Sequence, residues 1–327
     1  MLFRTELQVP AAPMLISRTG GIYTMGSCFA EVMGRKLEQV KAKVLVNPFG
    51  TIFNPLSIHK LLRAAITQEY AILEEGLVDQ NGLWYHFDFH SSFSHQSKEV
   101  LLQTLKNQVD QAHQFLHQAE TVMLTWGTSF VYERKDTGSL VANCHKVPQK
   151  AFYKRLLSLE EIVQDTRQTL QLLQSQFPKV QVILTVSPVR HIKDTLPLNS
   201  VSKSLLRVAT HQALELHPHI TYFPAYELLL DDLRDYRFYG PDLIHPSEMA
   251  EEYIWKKFID SYADPYFKEF LPRWNEIQRE LAHRPFQPDS PAHQQFLQRL
   301  LQKLQALATD TDVEAEIATV QRQLRMH

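Results

Sequence analysis

Short apolar runs alternate with longer stretches of helical periodicity along most of the chain. Gly21–Met25, Lys43–Val46, Thr121–Thr125, Val180–Val186 and Ile220–Phe223 are bounded apolar runs of strand length. Between them lie amphipathic segments. Phe29, Met33, Leu37 and Val40 recur at helical spacing, and Leu159–Gln176 and Leu198–Leu216 carry similar patterns. Short strands separated by helices predict βαβ units and therefore a parallel sheet. The aromatic-rich stretch Leu77–Phe93 contains Asn81-Gly82 and reads as a hairpin inserted on that frame.

Beyond Pro265 the pattern changes. Phe267–Ala282, a proline-rich break at Arg284–Pro288 and two Gln- and Leu-rich stretches towards His327 contain no strand candidate. The expected organisation is an α/β domain over residues 1–264, with the hairpin near 77–93, and a helical C-terminal appendage over 265–327. The appendage would pack on the sheet domain or on a second subunit, the latter giving a homo-oligomer. Its stripe of Phe296, Leu297, Leu300, Leu301 and Leu304 reads as core, the run being too short for the heptads of a coiled coil.

Composition narrows the function classes. With 34 Lys+Arg against 36 Asp+Glu the chain carries a formal charge of −2, and no long basic tract offsets it, which disfavours nucleic acid. No window approaches the roughly 18 consecutive apolar residues of a membrane span. Ten glycines in 327 residues and no internal period argue against propellers and solenoids. Cys28 and Cys144 cannot build a disulfide framework and fit a reducing compartment. The first residues show no signal-peptide pattern, so the expected location is cytoplasmic.

Two short motifs carry chemistry. In Tyr23-Thr24-Met25-Gly26-Ser27-Cys28-Phe29-Ala30 a strand ends, a glycine permits a sharp turn and a serine stands where a helix begins. Alone, Ser27 reads as a helix N-cap. The sharper reading is a nucleophile beside helix N–H groups able to hold an oxyanion. Gly240-Pro241-Asp242-Leu243-Ile244-His245-Pro246-Ser247 lies just before another helical pattern. The spacing of Asp242 and His245 lets the carboxylate fold back on one ring nitrogen while the other faces a serine. Singly, each motif has a bland structural account. Together, at the first strand–helix turn and before the last helix of one α/β core, they suggest a Ser-His-Asp site.

Gly26-Ser27-Cys28-Phe29-Ala30 resembles the signature of the GSCFA family, which in turn resembles the SGNH/GDSL-type hydrolases. Further blocks extend the resemblance: Asn47 to Pro55, Trp126-Gly127-Thr128, Asn143-Cys144-His145-Lys146, Thr185 to His191 and Leu233 to Tyr239. It covers roughly residues 15–260. It implies a three-layer α/β/α fold with a mostly parallel sheet of about five strands. It also implies Ser27 as nucleophile, His245 as base and Asp242 as the group orienting it. In SGNH-type enzymes the oxyanion is held by the serine N–H, a glycine after the second strand and an asparagine after the third. Gly50 is the candidate for the second donor. The third position departs from the pattern: the chain reads Gly127-Thr128-Ser129-Phe130, leaving Ser129, Asn47 or Asn143 as candidate replacements.

Three further positions bear on substrate. Asn143 and His145 are placed in a polar loop facing the site, while a metal at Cys144-His145 lacks a second ligand pair. Arg190 and His191 end the fourth strand, the edge where open α/β sheets bind ligands, and suit an anionic or sugar group. The aromatic and charged run Arg234–Tyr239 would serve both as a salt-linked loop and as a carbohydrate-facing rim. The resulting expectation is a serine esterase, without cofactor or metal, that removes an O-acyl group, O-acetyl first, from a small-molecule or carbohydrate ester. An O-acyltransferase on the same site and a catalytically weak binding module are the rivals.

Overall fold

The computed structural model describes residues 4–325. Its centre is a sheet of five parallel strands: β1 (Gly21–Gly26), β2 (Val44–Val46), β3 (Ala119–Trp126), β4 (Gln181–Val186) and β5 (Ile220–Tyr222). Across the sheet the order is β5-β4-β3-β1-β2, with Tyr23 beside Leu45, Leu124 beside Leu184 and Thr221 beside Ile183. The inner strands are apolar at nearly every position because both faces of a parallel sheet are covered. Alternation then sorts the side chains. Tyr23, Met25, Val122, Leu124, Val182 and Leu184 enter one buried cluster, and Ile22, Met123 and Ile183 enter the other.

Helices fill both faces. The first cluster is closed by α2 (Pro55–Thr67), α3 (Lys98–Leu116), α4 (Leu159–Gln176) and α5 (Leu196–Leu214). The second takes α1 (Cys28–Gln39) and α6 (Glu248–Tyr262). Local sequence sets these boundaries: Ser27, Asn54, Ser97, Ser158 and Ser247 each cap a helix, and Ser158 with Glu161 completes a capping box. The fold is thus a three-layer α/β/α sandwich.

The C-terminal stretch forms α7 (Pro265–Leu281), α8 (Pro291–Leu307) and α9 (Glu314–Arg325), and adds no strand among the described residues. Phe267, Trp274, Leu297, Leu300 and Leu304 are buried in the same cluster as Phe29, Met33 and Leu37 of α1. Trp274 Nε1 also donates to Gln39 O at 2.6 Å. These helices pack on the chain's own sheet layer. Among the described residues, no helix is long and apolar enough to cross a membrane.

Two antiparallel pieces decorate the frame. Leu77–Gln80 pairs with Leu83–His86 through Asn81 and Gly82, both with positive φ (56° and 80°) as a type I′ turn requires. A second ribbon joins Phe130–Arg134 to Leu140–Val141 and Phe152–Leu156. The periodicity reading placed no strands there. Mixed runs such as Phe-Tyr-Lys-Arg-Leu lack the apolar signal of the central strands, and their pairing is settled by partners distant in sequence.

Candidate active site

The site lies where the parallel strands end. β1 finishes at Gly26, whose φ is +141° and where a Cβ would stand 2.1 Å from Thr125 O, so glycine alone fits. Asn47, just past β2, accepts the Gly26 N–H on Oδ1 at 2.9 Å. This turn delivers Ser27, fully buried, to the N-cap of α1, where its hydroxyl oxygen accepts from Phe29 N–H at 3.3 Å.

The second motif forms a tight loop. His245 Nδ1 lies 2.6 Å from Asp242 Oδ2, while Asp242 Oδ1 accepts from the backbone N–H groups of Ile244 (2.9 Å) and His245 (3.0 Å). The contact with His245, then those two N–H groups, hold the Asp242 carboxyl down at about 2, so it stays ionised across the ordinary pH range. The loop is pinned to the end of β4. Arg190 N–H donates to Ile244 O at 3.3 Å, and the Arg190 guanidinium lies 4.0 Å from the Tyr239 ring centroid and 5.3 Å from that of Tyr236. Both side chains of the Asp-His pair are about half exposed. The Ser27 hydroxyl keeps its bond to α1 and makes none with His245.

His191 stands between the two motifs. Its backbone N–H donates to Asn199 Oδ1 at 2.9 Å, and its ring meets Phe53 edge-on at 5.4 Å. Its Nε2 is buried without a partner. Burial, then the positive charges of Lys203, His245 and Lys154, push its pKa down to about 3, leaving a neutral imidazole at physiological pH.

Gly127 is the contact point of these parts. A Cβ there would lie 3.1 Å from Phe53 O and 3.3 Å from both His191 Nε2 and Ser27 Cβ. Gly127→Ala is therefore expected to wedge the serine away from the imidazole. Turnover should drop at least about tenfold, with an overpacking cost of about 1–3 kcal/mol readable by thermal unfolding. Full activity in that variant would mean the gap is not used.

Beneath Gly127 lies Lys203 of α5, fully buried, donating from Nζ to Gly127 O (2.7 Å) and Ser187 O (2.6 Å). Burial lowers its pKa from 10.5 to about 7. A base depressed in the folded state burdens the fold while charged, so stability should rise with pH between about 7 and 10.5. At about 1.4 kcal/mol per unit the effect reaches several kcal/mol. Melting temperatures across that range should climb in the parent relative to Lys203→Met; parallel curves would refute it. The neutral amine still donates to both carbonyls, so the strand ends remain tied.

Several backbone donors near Ser27 are already occupied. Ser27 N–H donates to Thr125 O (3.1 Å), Gly50 N–H to Asn47 O (2.7 Å), and Gly127 and Thr128 N–H to Phe53 O (2.7 and 3.1 Å). Ser129 is buried and turned away, its hydroxyl donating to Ser202 O and its N–H to Ser202 Oγ, each at 2.7 Å. Asn143 closes a local turn by accepting His145 N–H at 2.9 Å. His145 stacks on Tyr85 and its Nε2 lies 2.8 Å from His86 O, a seam between hairpin and ribbon. Neither residue contacts Ser27. The buried side-chain nitrogens without a hydrogen-bond partner include Asn47 Nδ2, whose amide oxygen holds Gly26, and His191 Nε2, which abuts Gly127. Among the described residues no His, Cys, Asp and Glu cluster could hold a metal ion.

Lys203 and Asn199 had escaped the sequence reading. Their signal was positional: Asn199, Ser202, Lys203 and Leu206 share the buried stripe of α5, where a lysine is out of place.

A three-layer α/β protein with a serine and an Asp-His pair at one sheet edge is what the geometry defines. The chain belongs to the GSCFA family, whose model matches residues 21–258, and the model for the C-terminal domain of GSCFA domain proteins matches residues 274–326. No curated protein matches it. Among solved structures, a Corynascus thermopiles (Myceliophthora fergusii) carbohydrate esterase family 2 enzyme with its carbohydrate binding domain is 15% identical, with a TM-score of 0.28. That match covers 47% of this chain and only 38% of the esterase. A protein from Streptococcus pneumonia, described provisionally as a platelet activating factor, is 11% identical over 74% of this chain and 83% of its own, with a TM-score of 0.38. At these scores the likenesses bear on neither mechanism nor substrate.

Proposed function

We propose that the protein is a serine esterase that removes O-acyl groups, O-acetyl first, from a carbohydrate-like substrate. The observation that carries this reading is the 2.6 Å Asp242–His245 pair, pinned through Arg190 to the strand end beside His191, with Ser27 at the same sheet edge. Ser27 Oγ attacks the acyl carbonyl while His245 Nε2 takes the hydroxyl proton and then gives it to the departing alcohol. Asp242 holds Nδ1–H, fixing the tautomer that leaves Nε2 free to accept. Water, deprotonated by the same imidazole, then attacks the acyl-enzyme and releases the carboxylic acid. Asn47 Nδ2, left without a partner while its Oδ1 takes Gly26 N–H, is the candidate to hold the oxyanion.

Exposed Tyr236 and the Arg190 guanidinium favour a polyhydroxylated substrate, since aromatic and guanidinium faces stack on and bind sugar rings. Two free cysteines fit work in a reducing, cytoplasmic setting. A second reading, a binding module with weak chemistry, is favoured by one observation: full burial of Ser27 behind occupied N–H groups. A fluorophosphonate probe with peptide mapping separates the two, alongside acetate release from a panel of acetylated sugars. Labelling at Ser27 with acetate release is expected. Silence in both assays would leave the binding module.

A further inference from the structure

The site has a donor that the esterase reading does not yet use. His191 Nε2 is buried and unpartnered, in a gap bounded by Gly127 and Ser27 Cβ. Asn199 accepts the His191 backbone N–H at 2.9 Å, and the Phe53 ring packs against the imidazole at 5.4 Å between centroids in a T-shaped contact. Along the chain, His191 follows β4, and Gly127, which it abuts, follows β3, where the family-type donor would have stood. The residue there, Ser129, spends its hydroxyl on Ser202.

We propose that His191 supplies the missing oxyanion donor, presenting Nε2–H from a neutral imidazole to the acyl oxygen as it becomes negative on attack by Ser27. This rests on the esterase reading and assigns His191 a catalytic role distinct from that of His245. The donor's proton is not transferred; the hydrogen bond strengthens as charge develops on the oxygen and relaxes when the carbonyl re-forms. The groups around the ring suit that role. Lys203 from α5, Lys154 from the ribbon and His245 from its loop are all cationic or cation-forming, and together with burial they oppose an imidazolium at this place. With the ring proton on Nε2, that nitrogen has no lone pair with which to take the serine proton, which is left to His245. Lys203 is a positioning residue here, since its bonds to Gly127 O and Ser187 O fix the ends of β3 and β4 that frame the gap.

The test measures the rate of Ser27 phosphonylation by a fluorophosphonate, whose phosphoryl oxygen needs the same donor, across pH in the parent, S27A, H191F and H191Q. Phe keeps the ring volume without a donor. Gln places an amide N–H near the former Nε2 but cannot act as a base. Expected are labelling of the parent and none of S27A, a fall of about 10²–10³-fold in H191F with the acid limb of the pH profile retained, and recovery of at least about tenfold in H191Q. Thermal unfolding of each variant accompanies the rates. An H191F protein that reacts at the parental rate overturns the proposal while leaving the esterase reading intact. So does a flattened acid limb in H191F, which would make His191 the base, whether or not H191Q folds well enough to compare. Failure of the parent to label overturns the esterase reading and this inference with it.

Discussion

Ser27→Ala is expected to reduce ester turnover by about 10⁴–10⁶-fold, to the background left by binding alone. The size of the loss follows from what the oxygen does. In the proposed mechanism it is the atom that forms the acyl bond, and the adjacent Cys28 begins α1 with a thiol that burial pushes up, away from the reactive thiolate. The fold should survive. The Ser27 hydroxyl caps α1 through Phe29 N–H, and losing a cap costs about 1 kcal/mol. The rest of the turn is held by backbone bonds from Gly26 and Ser27 that alanine leaves in place. Circular dichroism and thermal unfolding close to the parent, with acetate release at background, is the expected pair of results. Turnover that persists in the folded variant would remove the mechanism.

The central sheet was legible because its inner strands are covered on both sides. Gly21–Met25 and Val180–Val186 are nearly unbroken apolar runs, and the observed strands β1 and β4 begin or end within a residue of them. The ribbon over 130–156 was not legible, because its strands are short, mixed in polarity and paired by non-local contacts. The Asp242–His245 contact could be read from spacing, since a three-residue loop brings carboxylate and ring together locally. The state of the oxyanion donors could not. Whether Gly127 or Ser27 has a free N–H depends on carbonyls of Phe53 and Thr125, brought in from separate segments, while Gly50 spends its own on Asn47 in a local turn. Lys203 was hidden for the same reason: a lysine on a helix reads as solvated until tertiary packing decides which face is covered.

Asp242→Asn is expected to lower kcat by about 10²–10⁴-fold while barely moving KM or the melting temperature. In the parent, Asp242 divides its work between two oxygens. Oδ1 accepts the backbone N–H groups of Ile244 and His245, which supports a loop where Leu243 has a φ of +59°, and Oδ2 holds His245 Nδ1. Asparagine keeps the first function through its carbonyl oxygen. Its NH₂ group then faces Nδ1, which must turn acceptor, so the imidazole carries its proton on Nε2. A ring in that tautomer cannot take the proton of Ser27. Alanine in the same place would lose both functions, so Asp242→Ala should match the asparagine variant in rate but unfold at a lower temperature. The pH dependence gives a second check. Because the carboxyl sits at about 2, it remains ionised throughout the acid limb, so the fall in parental activity with acid is not owed to Asp242. A further fall attributable to Asp242 belongs only near pH 2, where the pair's contribution to stability also fades: a depressed carboxylate stabilises above its unfolded value, near 3.8, and loses that contribution as pH falls through its folded one. An asparagine variant that kept the parental kcat would show that His245 needs no orienting carboxylate, and would turn attention from this pair to His191 as the base.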